Sequence, residues 1–230
     1  MTDTVIFDFD DTLVHTNDVY ESVRKIFYEQ MVENGCSYPQ KMVYDYLNEA
    51  DIANVNATGH LAKECFPRAM RQTYEYFCRL DGKKADGKIG LMLEQTGWSV
   101  YDIKPQWVAD ARETLMALQG RVKLILFTQG DTDIQKKRLD NQGVLQFFNG
   151  YRITPVKNSD AYRNLLKDFQ INAAASWMVG NSIRADVNPA IKAGLQAAHY
   201  QMAGWEFEIA EPCGEYRIIH KLTEVLELIK

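Results

Sequence analysis

No apolar run in this sequence approaches the ~20 residues that span a bilayer. The opening Met1-Thr2-Asp3-Thr4 lacks the basic start and longer apolar stretch of a secretory leader. Excess positive charge is missing too: 26 Lys and Arg face 31 Asp and Glu, for a formal net charge of −5. That argues against non-specific nucleic-acid binding, which draws on a basic patch. It leaves room for a small anionic substrate, because a bound cation or a few local amides dominate a site. Cysteine is scarce. Cys36, Cys65, Cys78 and Cys213 show no CxxC spacing, so free thiols in a reducing compartment are expected rather than disulfides or zinc. Repeats and low-complexity segments are absent as well. A cytoplasmic protein with neither a nucleic-acid nor a membrane partner is expected.

What is present is an ordinary globular composition, 46% hydrophobic and 25% charged, too apolar for disorder. At 230 residues one large domain, or a core with an insertion, is expected. From residue 17 to 98 the pattern is helical throughout. Val19, Val23, Ile26, Phe27 and Met31 form a stripe over residues 18–34. A second helix starts near Pro39 with Met42, Val43, Tyr46 and Leu47 on one face. A third covers residues 60–80 with a bend near Pro67, and a fourth residues 87–95.

Elsewhere strands and helices alternate. Strands are expected at residues 5–7, 122–127, 151–154, 176–179, 196–200 and 216–219. Helices are expected at 105–118, 131–141, 159–169, 189–193 and 222–229. Such alternation predicts a parallel sheet with helices on both faces. The first strand belongs to this later pattern. The expected architecture is therefore an α/β core of residues 1–16 and 99–230 with a helical insertion, 17–98, after the first strand.

Ligands of open α/β sheets bind beyond the carboxyl ends of the strands, so the residues that follow each strand carry the functional reading. After Val5-Ile6-Phe7 come Asp8 and Asp10. Residues two apart in extended chain point the same way, so the two carboxylates converge on one site; the alternative is an Asp-rich turn. After residues 122–127 come Thr128-Gln129-Gly130 at a helix start, either a phosphate-holding turn or a plain helix cap. Lys157 follows the third strand, as a site cation or a solvated lysine. Gly180-Asn181-Ser182 through Asp186 follow the fourth, offering oxygen ligands for a hard cation or another capped helix start.

Together these four signals resemble the haloacid dehalogenase (HAD) superfamily. The likeness covers the α/β core: Asp8-Phe9-Asp10-Asp11-Thr12-Leu13, Thr128, Lys157, and Gly180-Asn181-Ser182 with Asp186. Further likeness to one branch of HAD-like hydrolases lies in Gly130-Asp131 with Gln135 and Lys137, in Pro189, and in Trp205-Glu206.

The resemblance implies a Rossmann-like HAD core with a helical C1 cap inserted after the first strand, hinged near residues 13–17 and 98–104. It implies a Mg²⁺-dependent phosphatase acting on a small phosphorylated metabolite through an aspartyl-phosphate intermediate. Asp8 would be the nucleophile and Asp10 the general acid and base. Lys157 would offset negative charge, while Thr128 and the Gln129 and Gly130 amides would hold phosphoryl oxygens. Mg²⁺ would take Asp8, the Asp10 main-chain carbonyl, Asp186 and Asn181. Asn181 departs from the family's frequent aspartate, which lowers the charge of the metal site. Asp10 itself points to phosphoryl transfer, since dehalogenases and phosphonatases lack an aspartate there. Lys63, Arg68, Arg71 and Tyr74 of the insertion stay outside the expected site. The alternatives are a phosphomutase of the β-phosphoglucomutase type and an inactive HAD fold that binds a ligand or partner.

Overall fold

The computed structural model describes residues 2–202, 205 and 209–229. The chain divides into two compact units, one of Met1–Asn17 with Pro105–Lys230, the other of Asp18–Lys104. The helical unit thus ends six residues beyond the expected 98. A 3₁₀ turn at Ser99–Tyr101 follows the last helix and buries Val100 in the helical core.

The first unit is built on a six-stranded sheet. Its strands are β1 (Thr4–Phe7), β2 (Lys123–Gln129), β3 (Gly150–Thr154), β4 (Ser176–Gly180), β5 (Gln196–Tyr200) and β6 (Arg217–Ile219). They lie in the order β3-β2-β1-β4-β5-β6 and every pairing is parallel. The architecture is α/β, with a Rossmann-like parallel sheet. Alternation along each strand sends side chains to two separate cores. Val5, Phe7, Leu124, Leu126, Trp177 and Val179 join one cluster, while Ile6, Ile125, Phe127 and Met178 join the other. Each fully buried side chain of this size contributes roughly 1.5–3 kcal/mol.

All four residues of β1 are buried, so a hydrophobic pattern alone would tolerate a slip of one residue. Main-chain bonds to the β4 side continue the pairing beyond both of its ends. Asp3 N–H donates to Ala175 O at 2.8 Å, and Asp8 N–H to Val179 O at 2.9 Å.

Helices cover both faces. In chain order they are α5 (Ala111–Leu118), α6 (Thr132–Gln142), α7 (Ser159–Asp168), α8 (Asn188–Lys192) and α9 (Val225–Leu228). The helix expected from Pro105 begins only at Ala111, because the preceding segment is held in extended contacts. Val14 bridges Trp107, and Val108 N–H donates to Leu13 O at 3.0 Å. The final helix is likewise short, as a 3₁₀ turn at Leu222–Glu224 takes its first residues.

The other unit contains α1 (Thr16–Glu33), most of which lies in it, and α2 (Gln40–Thr58), α3 (Cys65–Leu80) and α4 (Gly87–Trp98). Val19, Val23, Phe27 and Met31 recur every fourth residue and pack with Val43, Leu47, Phe66, Met70, Phe77 and Leu93. Ile26 and Met42, expected on the same faces, are exposed. Pro67 causes no bend. It falls in the first turn of α3, where its missing N–H has no helical acceptor to lose. Residues 60–64 stay outside that helix. Among the described residues no helix is long and apolar enough to cross a membrane.

Two features of the helical unit have measurable consequences. A Cβ on Gly97 would lie 2.6 Å from the Pro67 Cα, so only glycine lets α4 approach the α3 backbone this closely. Gly97→Ala is expected to destabilise the protein by about 1–3 kcal/mol, read as a lower denaturant midpoint at unchanged slope. Asp51 of α2 is buried, and its Oδ1 finds no hydrogen-bond partner among the described residues. Burial raises its carboxyl from 3.8 to about 7, against a weaker opposing pull from Arg24. The folded state then holds a proton that the unfolded chain has released, so this group's stability contribution falls as pH rises from 3.8 to about 7. Asp51→Asn should melt near the wild-type temperature at pH 4 and above it at pH 8, with the gap widening across that window.

Candidate active site

The first carboxylate sits where β1 leaves the sheet. Phe7 pairs with Leu126 of β2 and Val179 of β4; β4 ends one residue further on, and β2 runs three residues further, to Gln129. Asp8, one residue on, is buried. Its Oδ1 lies 2.5 Å from Lys157 Nζ, and its Oδ2 accepts a hydrogen bond from the Thr12 hydroxyl at 3.0 Å. The same Lys157 ammonium lies 2.7 Å from Asp186 Oδ1. Lys157 is not a solvated lysine: 1% of its side chain is exposed, which requires the paired carboxylates it meets.

Each partner of this triad is placed by its own local device. Lys157 N–H donates to the Gln129 side-chain oxygen at 3.0 Å, tying the loop after β3 to the end of β2. Asp186 lies in a π-helical turn, Ile183–Val187, capped by the Ser182 hydroxyl. Its Oδ2 accepts from Ser182 N–H at 3.0 Å. Gly180 makes this fit: a Cβ there would stand 2.2 Å from Asp186 Oδ2. Thr12 joins the loops of β1 and β4, since its hydroxyl accepts from Asn181 N–H at 3.1 Å. The Asn181 carbonyl in turn contacts His199 Nε2 at 2.8 Å.

Carboxylates outnumber the ammonium in this cluster. Burial raises Asp8 from 3.8 to about 7, Lys157 pulls it down, and Asp186 and Asp10 push it up again. Lys157 is pushed up to about 12: burial lowers it, and the attraction of Asp186 and Asp8 outweighs that cost. The Asp8 shift is mainly the cost of burial, while the Lys157 shift reports the two carboxylates around it. Next to this cluster, Asp11 adopts a left-handed backbone at φ 55° and accepts from Asn17 N–H at 2.8 Å. Burial raises Asp11 to about 7 as well.

Asp10 stands beside this triad and is one quarter exposed. Its Oδ1 receives the Thr16 hydroxyl at 2.6 Å and Arg138 Nη1 at 2.9 Å, and its Oδ2 receives Gln135 Nε2 at 2.6 Å. Gln135 also reaches Thr128 Oγ1 at 2.7 Å and Gln129 O at 3.0 Å. The Gln135 amide donates to Thr128, so the Thr128 hydroxyl proton is directed to another acceptor. Gly130, at φ 147°, leaves room for this side chain, as a Cβ would lie 3.0 Å from Gln135 Cγ.

The expected site residues therefore gather at one sheet edge, with two differences in detail. Gly130 N–H does not face an open space for a phosphoryl oxygen. It donates to Thr154 O at 2.9 Å, continuing the β2–β3 pairing one residue past the strand. Gln129 uses its side chain and carbonyl to hold Lys157 and Gln135. The cap of α6 is Asp131, whose carboxylate accepts from Asp133 and Ile134 N–H, and that leaves Thr128 for the site. In the helical unit Arg71 pairs with Glu75 and Glu94, while Tyr74 is buried and accepts from Asp86 N–H. Trp205 is described, but its expected partner Glu206 lies outside the described residues.

For a metal, the donors on offer are hard oxygens: the Asp8 and Asp186 carboxylates, the Asn181 amide and the Asp10 carbonyl. This chemistry fits a Mg²⁺-type cation and offsets the surplus negative charge. Among the described residues no group of three or more His, Cys, Asp or Glu has metal-site geometry, so two carboxylates with neutral oxygens are what this chain supplies.

A family model of haloacid dehalogenase-like hydrolases matches residues 2–194. Solved structures share the fold. A haloacid dehalogenase-like hydrolase from Xanthomonas campestris aligns with TM-score 0.76 at 20% identity, covering 99% of this chain and 96% of that one. A putative HAD-hydrolase from Bacillus subtilis, bound to magnesium, aligns with TM-score 0.71 at 20% identity over 99% and 98%. A predicted phosphoglycolate phosphatase from Haemophilus somnus gives 0.67 at 16% identity over 100% and 98%. Solved 2-haloacid dehalogenases match as well, and at such identities the likeness is one of fold. No curated protein matches. With the family model spanning most of its length, the chain belongs to the haloacid dehalogenase-like hydrolases.

Proposed function

We propose that this hydrolase is a Mg²⁺-dependent phosphatase that acts on a small phosphomonoester through an aspartyl phosphate on Asp8. The observation that carries the reading is the second carboxylate. Asp10 lies two residues after Asp8, partly exposed, with donors on both of its oxygens. A departing alkoxide is strongly basic and gains from a proton donor as its bond breaks; a departing halide does not.

In this reading an Asp8 oxygen bonds to phosphorus while the bond from phosphorus to the leaving oxygen breaks, and Asp10 gives that oxygen its proton. Water then attacks phosphorus, Asp10 takes the water's proton, and the Asp8–phosphorus bond breaks to release inorganic phosphate. Lys157, at 2.5 Å from Asp8, favours the ionised carboxylate against the cost of its burial and reduces its repulsion from the phosphoryl group. Thr128 directs its hydroxyl proton to a phosphoryl oxygen. Asp8, Asp186, Asn181 and the Asp10 carbonyl would hold Mg²⁺, which when bound neutralises charge on the phosphoryl oxygens.

Phosphate release from 4-nitrophenyl phosphate and a panel of alkyl phosphates tests the reading, with chloride release from 2-chloropropionate measured alongside. Phosphate release that EDTA abolishes and added Mg²⁺ restores is expected. Asp8→Asn should lower it by ~10³-fold or more at an unchanged circular dichroism spectrum. Chloride release without phosphate release overturns the reading in favour of dehalogenation. Silence on every substrate from folded wild-type protein overturns it in favour of a binding role.

A further inference from the structure

Two residues of α6 face the site yet have no role in the chemistry described above. Gln135 and Arg138 are three apart and so share one face of the helix. Both are buried, at 3% and 8% exposure. Their polar ends converge on Asp10: Arg138 Nη1 lies 2.9 Å from Oδ1 and Gln135 Nε2 lies 2.6 Å from Oδ2. Arg138 Nη2 further donates to the Thr16 hydroxyl at 3.2 Å, and that hydroxyl donates on to Asp10 Oδ1 at 2.6 Å. Arg138 Nη1 contacts Gln135 Oε1 at 3.4 Å. The guanidinium therefore faces the amide oxygen, which fixes the amide nitrogen toward the carboxylate.

We propose that Arg138 and Gln135 are positioning residues that clamp the Asp10 carboxylate in the orientation from which it exchanges a proton with the leaving oxygen. The inference rests on the phosphatase reading of the site.

Three features distinguish this clamp from an ordinary structural ion pair. First, it is asymmetric: 8% of the Arg138 side chain is exposed against 25% for Asp10. A buried cation thus presents a more accessible carboxylate. Second, the donors leave room where a proton is needed. Among the described residues Oδ1 accepts two hydrogen bonds and Oδ2 one, which leaves a lone pair of Oδ2 among the four a carboxylate offers. Third, the clamp also touches the phosphate side of the site, because Gln135 Nε2 donates to Thr128 Oγ1 at 2.7 Å. One amide therefore sets the spacing between the proton donor and a phosphate-holding hydroxyl. Among the described residues the Arg138 Nε finds no hydrogen-bond partner, and the guanidinium is held there by its two terminal nitrogens.

Loss of the clamp should harm proton transfer more than attack on phosphorus. Protonation matters greatly for an alkoxide leaving group and little for 4-nitrophenolate, a weak base. The test compares kcat and KM of wild type, Arg138→Ala, Arg138→Lys and Gln135→Ala on glycerol 2-phosphate and on 4-nitrophenyl phosphate at saturating Mg²⁺. Arg138→Ala should lower kcat/KM, which reports the steps up to phosphorylation of Asp8 and not the hydrolysis common to both substrates, by about 10²-fold on the alkyl phosphate and several-fold on the aryl phosphate. Guanidine added to Arg138→Ala should recover part of the alkyl-phosphate rate. Arg138→Lys should fall between, since it keeps the charge and loses the fork. Gln135→Ala should shift the ratio in the same direction and carries the test if Arg138→Ala fails to fold. Equal losses of kcat/KM on both substrates, or a lowered melting temperature with an unchanged ratio of kcat/KM, overturn the inference and leave the phosphatase reading intact. A wild type inactive on both substrates and throughout the wider panel overturns the phosphatase reading, and this inference with it.

Discussion

Everything at the sheet edge depends on one ammonium group between two carboxylates. Lys157 Nζ is within 2.7 Å of both Asp8 and Asp186, and without it two buried carboxylates would meet uncompensated. Removing one member of such a cluster leaves an unpaired buried charge, which costs far more than the intact pair contributes. The surrounding devices serve that contact. Gln129 anchors the lysine's backbone, Ser182 anchors the aspartate from the fourth strand, and Gly180 gives that aspartate room. Three loops from distant parts of the chain are thereby held to one geometry.

Much of this was legible in the sequence because the chemistry demanded unusual residues in unusual places. Asp8 and Asp10 after a fully apolar strand, and Asp186 after a glycine turn, are costly residues at strand ends. The strand pattern was equally clear, since β2 and β4 are apolar on both faces as a doubly covered sheet demands. Order along the chain then placed the site at one edge.

The less legible parts have a common physical cause. Gln135 and Arg138 lie on a helix whose remaining residues are mostly polar, so their burial leaves no mark in a hydrophobic pattern. Thr12 and Thr16 act through single hydroxyls, which look the same in sequence whether they cap, face water or orient a carboxylate. Gly130 illustrates the reverse error. A glycine before a helix suggests open amides, yet its N–H continues a strand ladder, and its function is to make room for a neighbour. Helix onsets erred for the same reason at Pro105 and at residues 60–64, where local propensity was overruled by contacts with distant chain.

The central position of β1 has a consequence for how the protein is made. Its two neighbours in the sheet are residues 123–126 and 176–179, both encoded after the entire helical unit. On the ribosome, β1 emerges ahead of the helical unit and stays without either of these partners while α1 to α4 are synthesised, although those helices have near neighbours to pack against as soon as they appear. The maturing chain therefore contains an ordered insertion before it has a sheet to be inserted in. Closing the sheet around a strand so distant in sequence is a high-contact-order event, slow by nature and open to mispairing of an apolar segment in the interval.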